Sequence, residues 1–502
     1  GSSSKEVPGA NKLSASHDLS GSTLADIQAY LDSGSVVAGD TIYLGNQTWN
    51  SGNWGPWDAN QVVKVNIPNL VISGGTSGSP TDFATINAGS KIFQLNAPGI
   101  TLCNIAFTNT GDGPTLAVNI QESDCKVTNC IFENCHNNGG GAIYSSEAAS
   151  NTLIENCNFT NCYTIWNTNG GAASLSGDNT VVKNCNFIGN KAEGYTQGGA
   201  LELLGNNPQV INSTFKESSA TLGGAVYIDK PGATLTDCVF EDNQATFGGA
   251  VNIYHDDATL TNCNFTDNVA SDTGGAIYIA DDCHNIQMTN CNFADNSASS
   301  GTAIYCDGSG DGKVTDCNFG VTPDLSVETG YPIMTLTLGS DYSNIVVGNI
   351  EGASGGSIIP MVGEPITLEI FDANGQLVDT FSGVTDANGQ VVYDYGNLPR
   401  ANYTYKAHYL DDKTKEGPII MAEVEGNNFS SIQAAIDSAE PGGVIFLKGI
   451  TYLNDIQGNM IIDKPITIIG SEGTVLDAEE LSRIFKVNDN VKNLNLENIS
   501  FI

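Results

Sequence analysis

Apolar and polar residues alternate over most of the chain, in short runs such as GGAIYI and ATLTNCNF. A period of two places successive side chains on opposite faces of a β-strand, and the repeated region lacks the 3.6-residue period of a helix. Nine Phe residues, from Phe107 to Phe319, follow one another at steps of 25 to 28 residues. A repeat of this length is typical of a solenoid in which each repeat is one coil. The pattern therefore predicts an all-β, right-handed parallel β-helix with three short strands per coil.

Two residue types occupy the same place in successive repeats and predict ladders inside the coils. In the phrase NCNF the Cys and the Phe lie on one face of a strand, and neighbouring coils stack about 4.8 Å apart. In-register parallel strands give poor disulfide geometry, so we expect free interior thiols. A crosslink between Cys135 and Cys162 and a metal site on the column are the alternatives. The predicted ladder residues are Cys130, Cys157, Cys185, Cys238, Cys263, Cys291, Cys317, Phe132, Phe159, Phe187, Phe215, Phe240, Phe265, Phe293 and Phe319.

The N-terminal part predicts a cap for the open end of the β-helix. In STLADIQAYLDSG the residues Leu24, Ile27 and Leu31 fall on one helical face, with Ser22 as the expected N-cap. A helix here covers the bare strand edges of the first coil. A similar cap sequence, SIQAAIDSAEPGGVIFL, occurs later in the chain and predicts that a second β-helix starts near Asn427. Too few residues follow for it to close, which indicates a piece of a longer protein.

Between the two caps lies a segment of a different kind. Residues 364–412 hold alternating strands, and the turn phrase DANG occurs twice. Several short strands in this length predict an immunoglobulin-like β-sandwich that acts as a spacer. The predicted organisation is a tag or flexible N-terminus over 1–21, a β-helix over 22–352, an immunoglobulin-like domain over 357–424, and the cap and first coils of a second β-helix over 427–502.

The net charge of the chain limits the classes of molecule that it is expected to bind. The formal net charge is −37, from 19 Lys and Arg residues against 56 Asp and Glu residues. Phosphate binding needs clusters of Lys and Arg, so nucleic acid is excluded as a partner and anionic membrane surfaces are disfavoured. No run of residues reaches the apolar length of a transmembrane span. No motif in the sequence requires a cofactor. Carbohydrates and proteins remain as the expected classes of ligand.

One segment is unusually rich in Trp. The stretch TWNSGNWGPWDANQ contains Trp49, Trp54 and Trp57, three of the four Trp residues of the chain. A Gly-rich run with three Trp residues is poor strand material. Two interpretations stay open: the rings are exposed and stack on a ligand such as a sugar, or they fold down and close the N-terminal end of the β-helix.

Acidic residues recur at two turns of the repeat. The phrases FEDN, FTDN and FADN place Asp242, Asp267 and Asp295 on three successive coils. Carboxylates about 5 Å apart repel by roughly 0.8 kcal/mol in water, and Ca²⁺ between the coils would relieve that repulsion. Solvated turn carboxylates are the plainer alternative. The same two interpretations hold for a second acidic turn, which contains Asp229, Asp256, Asp257, Asp281 and Asp282.

The coupling of GGAIY to FTDN resembles the repeats of adhesin-like surface proteins of methanogenic archaea and, more loosely, those of chlamydial polymorphic membrane proteins. In the archaeal family, β-helix blocks alternate with immunoglobulin-like repeats. The resemblance covers nearly the whole chain. It implies an extracellular, cell-surface protein that attaches to host or microbial cells or to surface glycans, and it brings no motif of catalytic residues. The function expected is non-catalytic adhesion through a face of the solenoid.

Two other classes remain as alternatives. Parallel β-helices also carry polysaccharide lyases and glycoside hydrolases. A lyase acting on uronic acids needs a base such as Arg or Lys, and the first β-helix contains no Arg. A hydrolase needs convergent carboxylates, whereas the coils offer mostly Asn and Thr on their outer faces. We therefore expect no enzymatic activity and name no catalytic residue. A purely structural surface stalk is the third class.

Overall fold

The computed structural model describes residues 13–54, 60–108, 113–319, 324–341, 345–346, 349–351, 358–409 and 413–502. The chain divides into two compact units, residues 1–321 with 342–357 and residues 322–341 with 358–502. Short strands dominate the described part of both units, which confirms the all-β class predicted from the alternating pattern.

Successive coils of the first unit contribute strands to three parallel sheets, named sheets 1, 2 and 3 here, which confirms the parallel β-helix. Sheet 1 contains Ser16–Asp18, Thr41–Tyr43, Val71–Ser73, Thr101–Cys103, Lys126–Thr128, Leu153–Glu155, Val181–Lys183, Gln209–Ile211, Thr234–Thr236, Thr259–Thr261, Ile286–Thr289, Asp311–Thr315 and Asn349–Glu351. Sheet 2 contains Val63–Val65, Phe93–Leu95, Val118–Ile120, Ile143–Ser145, Ala173–Leu175, Leu201–Leu203, Val226–Ile228, Val251–Ile253, Ile277–Ile279, Ile304–Cys306 and Ile345–Val346.

Sheet 3 and a set of corner strands complete the coils. Sheet 3 contains Thr48–Asn50, Ala84–Asn87, Ile105–Thr108, Ile131–Glu133, Asn158–Thr160, Asn186–Ile188, Thr214–Lys216, Val239–Glu241, Asn264–Thr266 and Asn292–Ala294. Between sheet 3 and sheet 2 the chain forms short extra strands at a corner. These corner strands are His136–Asn137, Tyr163–Thr164, Lys191–Ala192, Gln244–Phe247 and Val269–Thr273.

The Phe ladder is confirmed. Parallel pairing in sheet 3 places Phe187 opposite both Phe159 and Phe215. From Phe107 to Phe319 the rings stack with centroids 4.6 to 5.1 Å apart and interplanar angles of 3° to 16°. Each buried aromatic ring removes about 150–250 Å² from water, so this column is a main source of the stability of the coils.

The Cys ladder is confirmed as well. All thirteen Cys residues are free thiols, and only Cys103 and Cys317 are partly exposed. Cys185 is typical, since its Sγ donates to the carbonyl of Ile154 at 3.6 Å. Cys135 and Cys162 are also free thiols, so the alternative of a crosslink between them is not realised in the structure.

The repeated Gly pairs have two separate causes. Gly170 has a φ of 68°, in the left-handed region that favours glycine. Gly171 is required by space, because a Cβ there would lie 1.9 Å from the carbonyl oxygen of Gly199 in the next coil. The first Gly therefore serves the turn, and the second serves the close approach of two coils.

The N-terminal cap is the helix Leu24–Asp32, with Leu24, Ile27 and Leu31 buried as predicted. Its N-cap is Thr23, and the expectation of Ser22 is wrong. The Asp26 carboxylate accepts from the N–H of Thr23 at 3.0 Å, and Thr23 Oγ1 accepts from the N–H of Asp26 at 3.3 Å. This capping box needs an acidic or amide side chain three residues after the cap, a spacing that Thr23 and Asp26 satisfy.

Part of the segment assigned to a flexible N-terminus is ordered, which corrects the 1–21 assignment. Ser16–Asp18 pairs in parallel with Thr41–Tyr43 in sheet 1. His17 Nε2 lies 2.9 Å from Asp40 Oδ2. Hydrogen bonds from the N–H of Val37, from His17 and from the N–H of Ala15 lower the pKa of Asp40 to about 2. This polar cluster fixes the first strand in place.

The second unit begins inside the span that the sequence assigned to the β-helix. Asp324–Thr329 and Ile333–Asp341 pair antiparallel, and the latter also pairs antiparallel with Gln390–Asp394. The β-helix assignment over 22–352 is therefore wrong for this part, although Ile345–Val346 and Asn349–Glu351 pair in parallel with earlier coils. Alternating apolar and polar residues predict a strand but do not show whether it pairs in parallel or antiparallel. The assignment of these strands to the β-helix was wrong for this reason.

The rest of the second unit combines antiparallel and parallel sheets. One four-stranded sheet contains Asp324–Thr329, Ile333–Asp341, Ile358–Pro360 and Gln390–Asp394, and another contains Pro365–Phe371, Leu377–Val384, Tyr403–Tyr409 and Lys413–Ile419. The second cap sequence forms the helix Phe429–Ser438, with Asn428 as N-cap. Small parallel sheets follow, built from Gly443–Leu447, Thr451–Leu453, Met460–Ile462, Ile466–Gly470, Val475–Asp477, Phe485–Val487, Asn495–Glu497 and Ser500–Phe501.

Candidate functional site

A column of polar and aromatic side chains runs along the outer face of sheet 2. The middle residue of each strand points away from the core, because successive side chains of a strand point to opposite faces. In-register pairing then aligns these residues from coil to coil. We call this set the outer column; its members are Tyr144, Ser174, Glu202, Tyr227, Asn252, Tyr278 and Tyr305.

The centre of the outer column is buried although it faces away from the hydrophobic core. Ser174, Glu202, Tyr227 and Asn252 are only 1% to 4% exposed. Asn169, which directly precedes a Gly pair, covers part of this face, since its Nδ2 donates to Glu202 Oε1 at 2.9 Å. These polar side chains are therefore shielded from solvent although they lie on the outside of the solenoid.

Glu202 is the carboxyl group at the centre of this face. Ser174 donates its hydroxyl hydrogen to Glu202 Oε2 at 2.6 Å, and Asn169 donates to the other carboxyl oxygen. Burial raises the pKa of Glu202, these two hydrogen bonds lower it, and the nearby negative charge of Asp229 raises it further. Burial is the largest cause, so the neutral, proton-bearing form of Glu202 is favoured relative to an exposed Glu.

Tyr227 and Asp229 continue the site into the next coil. Glu202 and Tyr227 are register partners in sheet 2. The Tyr227 hydroxyl donates to Asp229 Oδ1 at 3.4 Å, and burial together with the charge of Asp229 raises the pKa of Tyr227. Tyr254 follows its strand at the place that Asp229 occupies in the preceding coil; its ring lies 6.3 Å from that of Tyr227 and is 54% exposed.

Two buried acceptors beside this cluster have no hydrogen-bond partner in the described part of the chain. They are Oδ1 of Asn252, which is 1% exposed, and Oγ1 of Thr273. A buried polar atom without a partner costs free energy, so such atoms call for an explanation. A bound molecule that carries hydroxyl groups would supply the missing donors.

The outer column and the residues that directly follow its strands therefore combine three chemical features. Glu202 is a carboxyl group whose environment favours the protonated state, and Asp229 is a second carboxyl group whose charge reaches it. Unpaired acceptors lie one coil further, and Tyr254 offers an exposed ring. Two carboxyl groups held in different environments are the requirement for acid–base cleavage of a glycosidic bond.

A second polar cluster lies at the turn after sheet 2. His284 Nδ1 lies 2.9 Å from Asp311 Oδ2, and His284 Nε2 lies 2.9 Å from Asp282 Oδ1. The backbone N–H of His284 donates to Asp256 at 2.8 Å. The hydrogen bonds with Asp311 and Asp282 raise the pKa of His284 to about 9. His284 thus neutralises part of the acidic turn noted in the sequence.

The Trp segment does not form an exposed aromatic surface as a whole. Trp49 is fully buried and its Nε1 donates to the carbonyl of Leu44 at 2.8 Å, so the prediction of a ligand contact is wrong for this residue. A ring in sheet 3 points inward and fills the first coils. Trp54 is partly buried against the same core. Trp57 lies outside the described residues.

Asp242, Asp267 and Asp295 lie on successive coils as predicted and are exposed. Each has a positive φ, 56°, 55° and 55° respectively. Asn and Asp tolerate this left-handed conformation better than most residues, so their place in the repeat has a backbone cause. In the described part of the chain no three His, Cys, Asp or Glu side chains are grouped as a metal site. Calcium binding here stays a prediction.

Sequence reasoning missed Glu202. The sequence pattern predicts mostly Asn and Thr on the outer faces, yet the run LEL places a carboxyl group where neighbouring coils have Ser174 and Tyr227. The signal was present, because aligning the repeats on the Gly pair puts Glu202 three residues after Gly199. Nothing in the sequence, however, shows that this outward position is buried.

The three parallel sheets and the stacked core define a protein of the parallel β-solenoid class. A model of the right-handed beta helix region matches residues 92–265 and 224–357, which together are more than half of the chain. The chain therefore belongs to the right-handed β-helix family. No curated protein matches the sequence. In the described residues no helix is long and apolar enough to cross a membrane.

Solved structures similar to this chain include alginate lyases and a phage tailspike protein. The PL6 family alginate lyase AlyGC is 14% identical, with a TM-score of 0.36, and the match covers 96% of this chain and 71% of the lyase. A second PL6 alginate lyase, in complex with a trisaccharide, is 14% identical with a TM-score of 0.38, covering 68% of this chain and 97% of the lyase. A tailspike protein of E. coli bacteriophage HK620, in complex with a pentasaccharide, is 11% identical with a TM-score of 0.32, covering 78% and 88%.

These structures correct one expectation from the sequence. We expected no enzymatic activity, and the presence of alginate lyases among the similar structures contradicts that expectation. The expectation rested on the scarcity of Arg and on an outer face of Asn and Thr, and the second premise overlooked Glu202.

Proposed function

We propose that this protein is a polysaccharide-active β-helix protein that binds a glycan against the outer column and cleaves it there by acid–base chemistry. The observation that carries the proposal is Glu202, a carboxyl group 4% exposed on the outer face of a sheet, with a raised pKa. A buried carboxyl group with a specific charged neighbour is typical of catalytic sites.

Glu202 would act as the proton donor and Asp229 as the second carboxyl group of the pair. In glycoside hydrolysis one carboxyl group protonates the oxygen of the leaving group while a second carboxylate activates water or attacks the sugar. The amide of Asn169 lies against Glu202, so a substrate reaches the carboxyl group by replacing this hydrogen bond. Sugar hydroxyls would donate to Asn252 Oδ1, and the ring of Tyr254 would stack on a sugar.

The charge balance supports a neutral substrate. The net charge of −37 repels a polyuronate such as alginate, and the first Arg in the chain is Arg400. A lyase that acts on uronic acids needs cationic groups to neutralise the substrate carboxylate, and none lies in the outer column. A neutral polysaccharide avoids this repulsion.

The test is release of new sugar ends by the purified chain. Laminarin, hydroxyethyl cellulose, galactomannan and alginate are incubated with the protein; new reducing ends report hydrolysis, and the absorbance of unsaturated ends reports lyase chemistry. We expect reducing ends from a neutral polymer and a loss of about 10²-fold or more in Glu202→Gln and in Asp229→Asn. Glu155→Gln on sheet 1 is the matched control and should retain activity.

Each contrary result has a defined meaning. Unsaturated products from alginate would replace hydrolysis by the lyase reaction. Equal activity in Glu202→Gln and the wild type would remove Glu202 from the mechanism. Binding of a polymer without any product would leave glycan attachment as the function.

Glycan attachment at a cell surface is the second candidate, and one observation favours it. Outward Asn side chains form ladders along sheet 3, with Nδ2 of Asn186 donating to Asn158 at 2.9 Å and Nδ2 of Asn292 donating to Asn264 at 2.9 Å. Such a repetitive polar face supports many weak contacts with a long polymer. In this proposal the protein is extracellular and adhesin-like, residues 357–424 are an immunoglobulin-like spacer, and residues 427–502 begin a second β-helix.

A further inference from the structure

We infer that the corner between sheets 3 and 2 holds a separate sugar-binding subsite, formed by Trp166 and Tyr195 around an open polar depression. The inference rests on the proposed function only for the class of ligand, a neutral polysaccharide. The depression has a volume of about 490 Å³ and is lined by residues of three coils, among them Asn167, Lys191 and Thr221.

Two residues with exposed rings directly adjoin the lining residues in the chain. Trp166 is 65% exposed and directly precedes Asn167, and Tyr195 is 80% exposed and directly follows Gly194. Asn167 and Gly194 touch across adjacent coils, since a Cβ on Gly194 would overlap with Oδ1 of Asn167. The two residues with exposed rings are therefore the chain neighbours of one contact between two coils. Aromatic rings of this kind stack on the apolar faces of sugars.

Trp166 is held in an unfavourable backbone conformation. Its φ is 59°, in the left-handed region that bulky side chains rarely adopt. Asn167, with a φ of 56°, shares that conformation but is of a type that tolerates it. The ring is large and apolar, yet 65% of it is exposed, so burial in the core does not account for a Trp on this strained backbone. Such a residue points to a role in binding.

Polar groups of both kinds line the depression. Lys191 Nζ and Glu193 Oε1 form an exposed ion pair at 2.8 Å, which offers a donor and an acceptor at the surface. Thr221 donates its hydroxyl hydrogen to the carbonyl of Gly194 at 2.6 Å and fixes the third coil against the second. Paired charges carry little net charge, which suits the hydroxyl groups of a neutral sugar better than a polyanion.

Trp166→Gly is the variant that separates binding from folding. Glycine relieves the left-handed strain while removing the ring, so thermal stability should be unchanged or raised. We expect affinity for the neutral polysaccharide, measured by affinity electrophoresis in laminarin, hydroxyethyl cellulose and galactomannan gels, to fall at least tenfold in Trp166→Gly and in Tyr195→Ala. Phe501→Ala removes an exposed ring in the other unit and should bind like the wild type.

The outcomes distinguish this subsite from the proposed catalytic site. If the wild type binds and the two variants lose binding while Phe501→Ala retains it, the subsite stands whether or not cleavage is detected. If the variants bind as the wild type does, the subsite is overturned and the catalytic proposal is untouched. If the wild type is retarded by none of the neutral polymers, both are overturned.

Discussion

Ser174 and Glu202, which are register partners in neighbouring coils, are joined by a hydrogen bond of 2.6 Å from the Ser174 hydroxyl to Glu202 Oε2. This bond favours the ionised carboxylate and opposes the effect of burial, which favours the neutral acid. The protonation state of Glu202 is therefore a balance between burial, the charge of Asp229 and two hydrogen bonds, of which the one from Ser174 is easily removed by mutation.

Replacing Ser174 by Ala should raise the pKa of Glu202 further. An acid catalyst is active while it is protonated, so the alkaline limb of the pH–activity profile should shift upward, by about one pH unit for a hydrogen bond to a charged group. The measurement is the rate of reducing-end release against pH for the two proteins. Ser176→Ala, two residues further along the chain, serves as the control. A downward shift in Ser174→Ala would contradict the assignment of Glu202 as the acid.

The Phe ladder predicts a gradient of stability along the column. Phe187 stacks on Phe159 and on Phe215, each at 4.7 Å, and is fully buried. Phe187→Ala should lower the free energy of unfolding by about 3–5 kcal/mol, because it removes buried area and leaves a cavity. Phe319→Ala, at the 6% exposed end of the ladder, should cost less. Urea unfolding followed by tryptophan fluorescence measures both, and equal losses would argue against the ladder as a cooperative column.

The contribution of His284 to the stability of the folded state should depend on pH. Its pKa is raised to about 9 by Asp311 and Asp282, so protonated His284 stabilises the folded state. This contribution is complete below the unfolded pKa of about 6.5 and is lost as the pH rises through about 9. The difference in urea midpoint between the wild type and His284→Gln should therefore shrink between these two pH values. A difference that grows over that range would show that His284 is neutral in the fold.

The buried thiols of the Cys ladder should react slowly with thiol reagents in the native state. Burial raises the pKa of Cys157 well above its ordinary value, and the reactive species is the thiolate. Native protein should react with a maleimide first at the partly exposed Cys103 and Cys317, and all thirteen thiols should react after unfolding in urea. Mass spectrometry of the labelled protein counts and locates the modified residues. Rapid labelling of Cys157 in the native state would mean that the coils open readily.

Several features of the fold could be predicted because the residues that produce them recur in every repeat. The steps between Phe residues gave the coil length, and the common face of Cys and Phe in NCNF gave the two ladders. The N-terminal helix followed from Leu24, Ile27 and Leu31. The strands Asp324–Thr329 and Ile333–Asp341 could not be placed, because alternation does not distinguish a parallel from an antiparallel partner.

The sequence by itself determined the solenoid, its period and the identity of its inward-facing residues, because a repeated pattern of period two leaves one way to bury Phe and Cys. The tertiary structure alone decided which outward-facing residues are accessible. Trp49 points into the core, whereas Glu202 lies on the outer face and is nevertheless covered by Asn169. Burial of an outward side chain depends on the path of the loop from the preceding coil. That path depends on contacts between residues distant in the chain, and no local pattern specifies it.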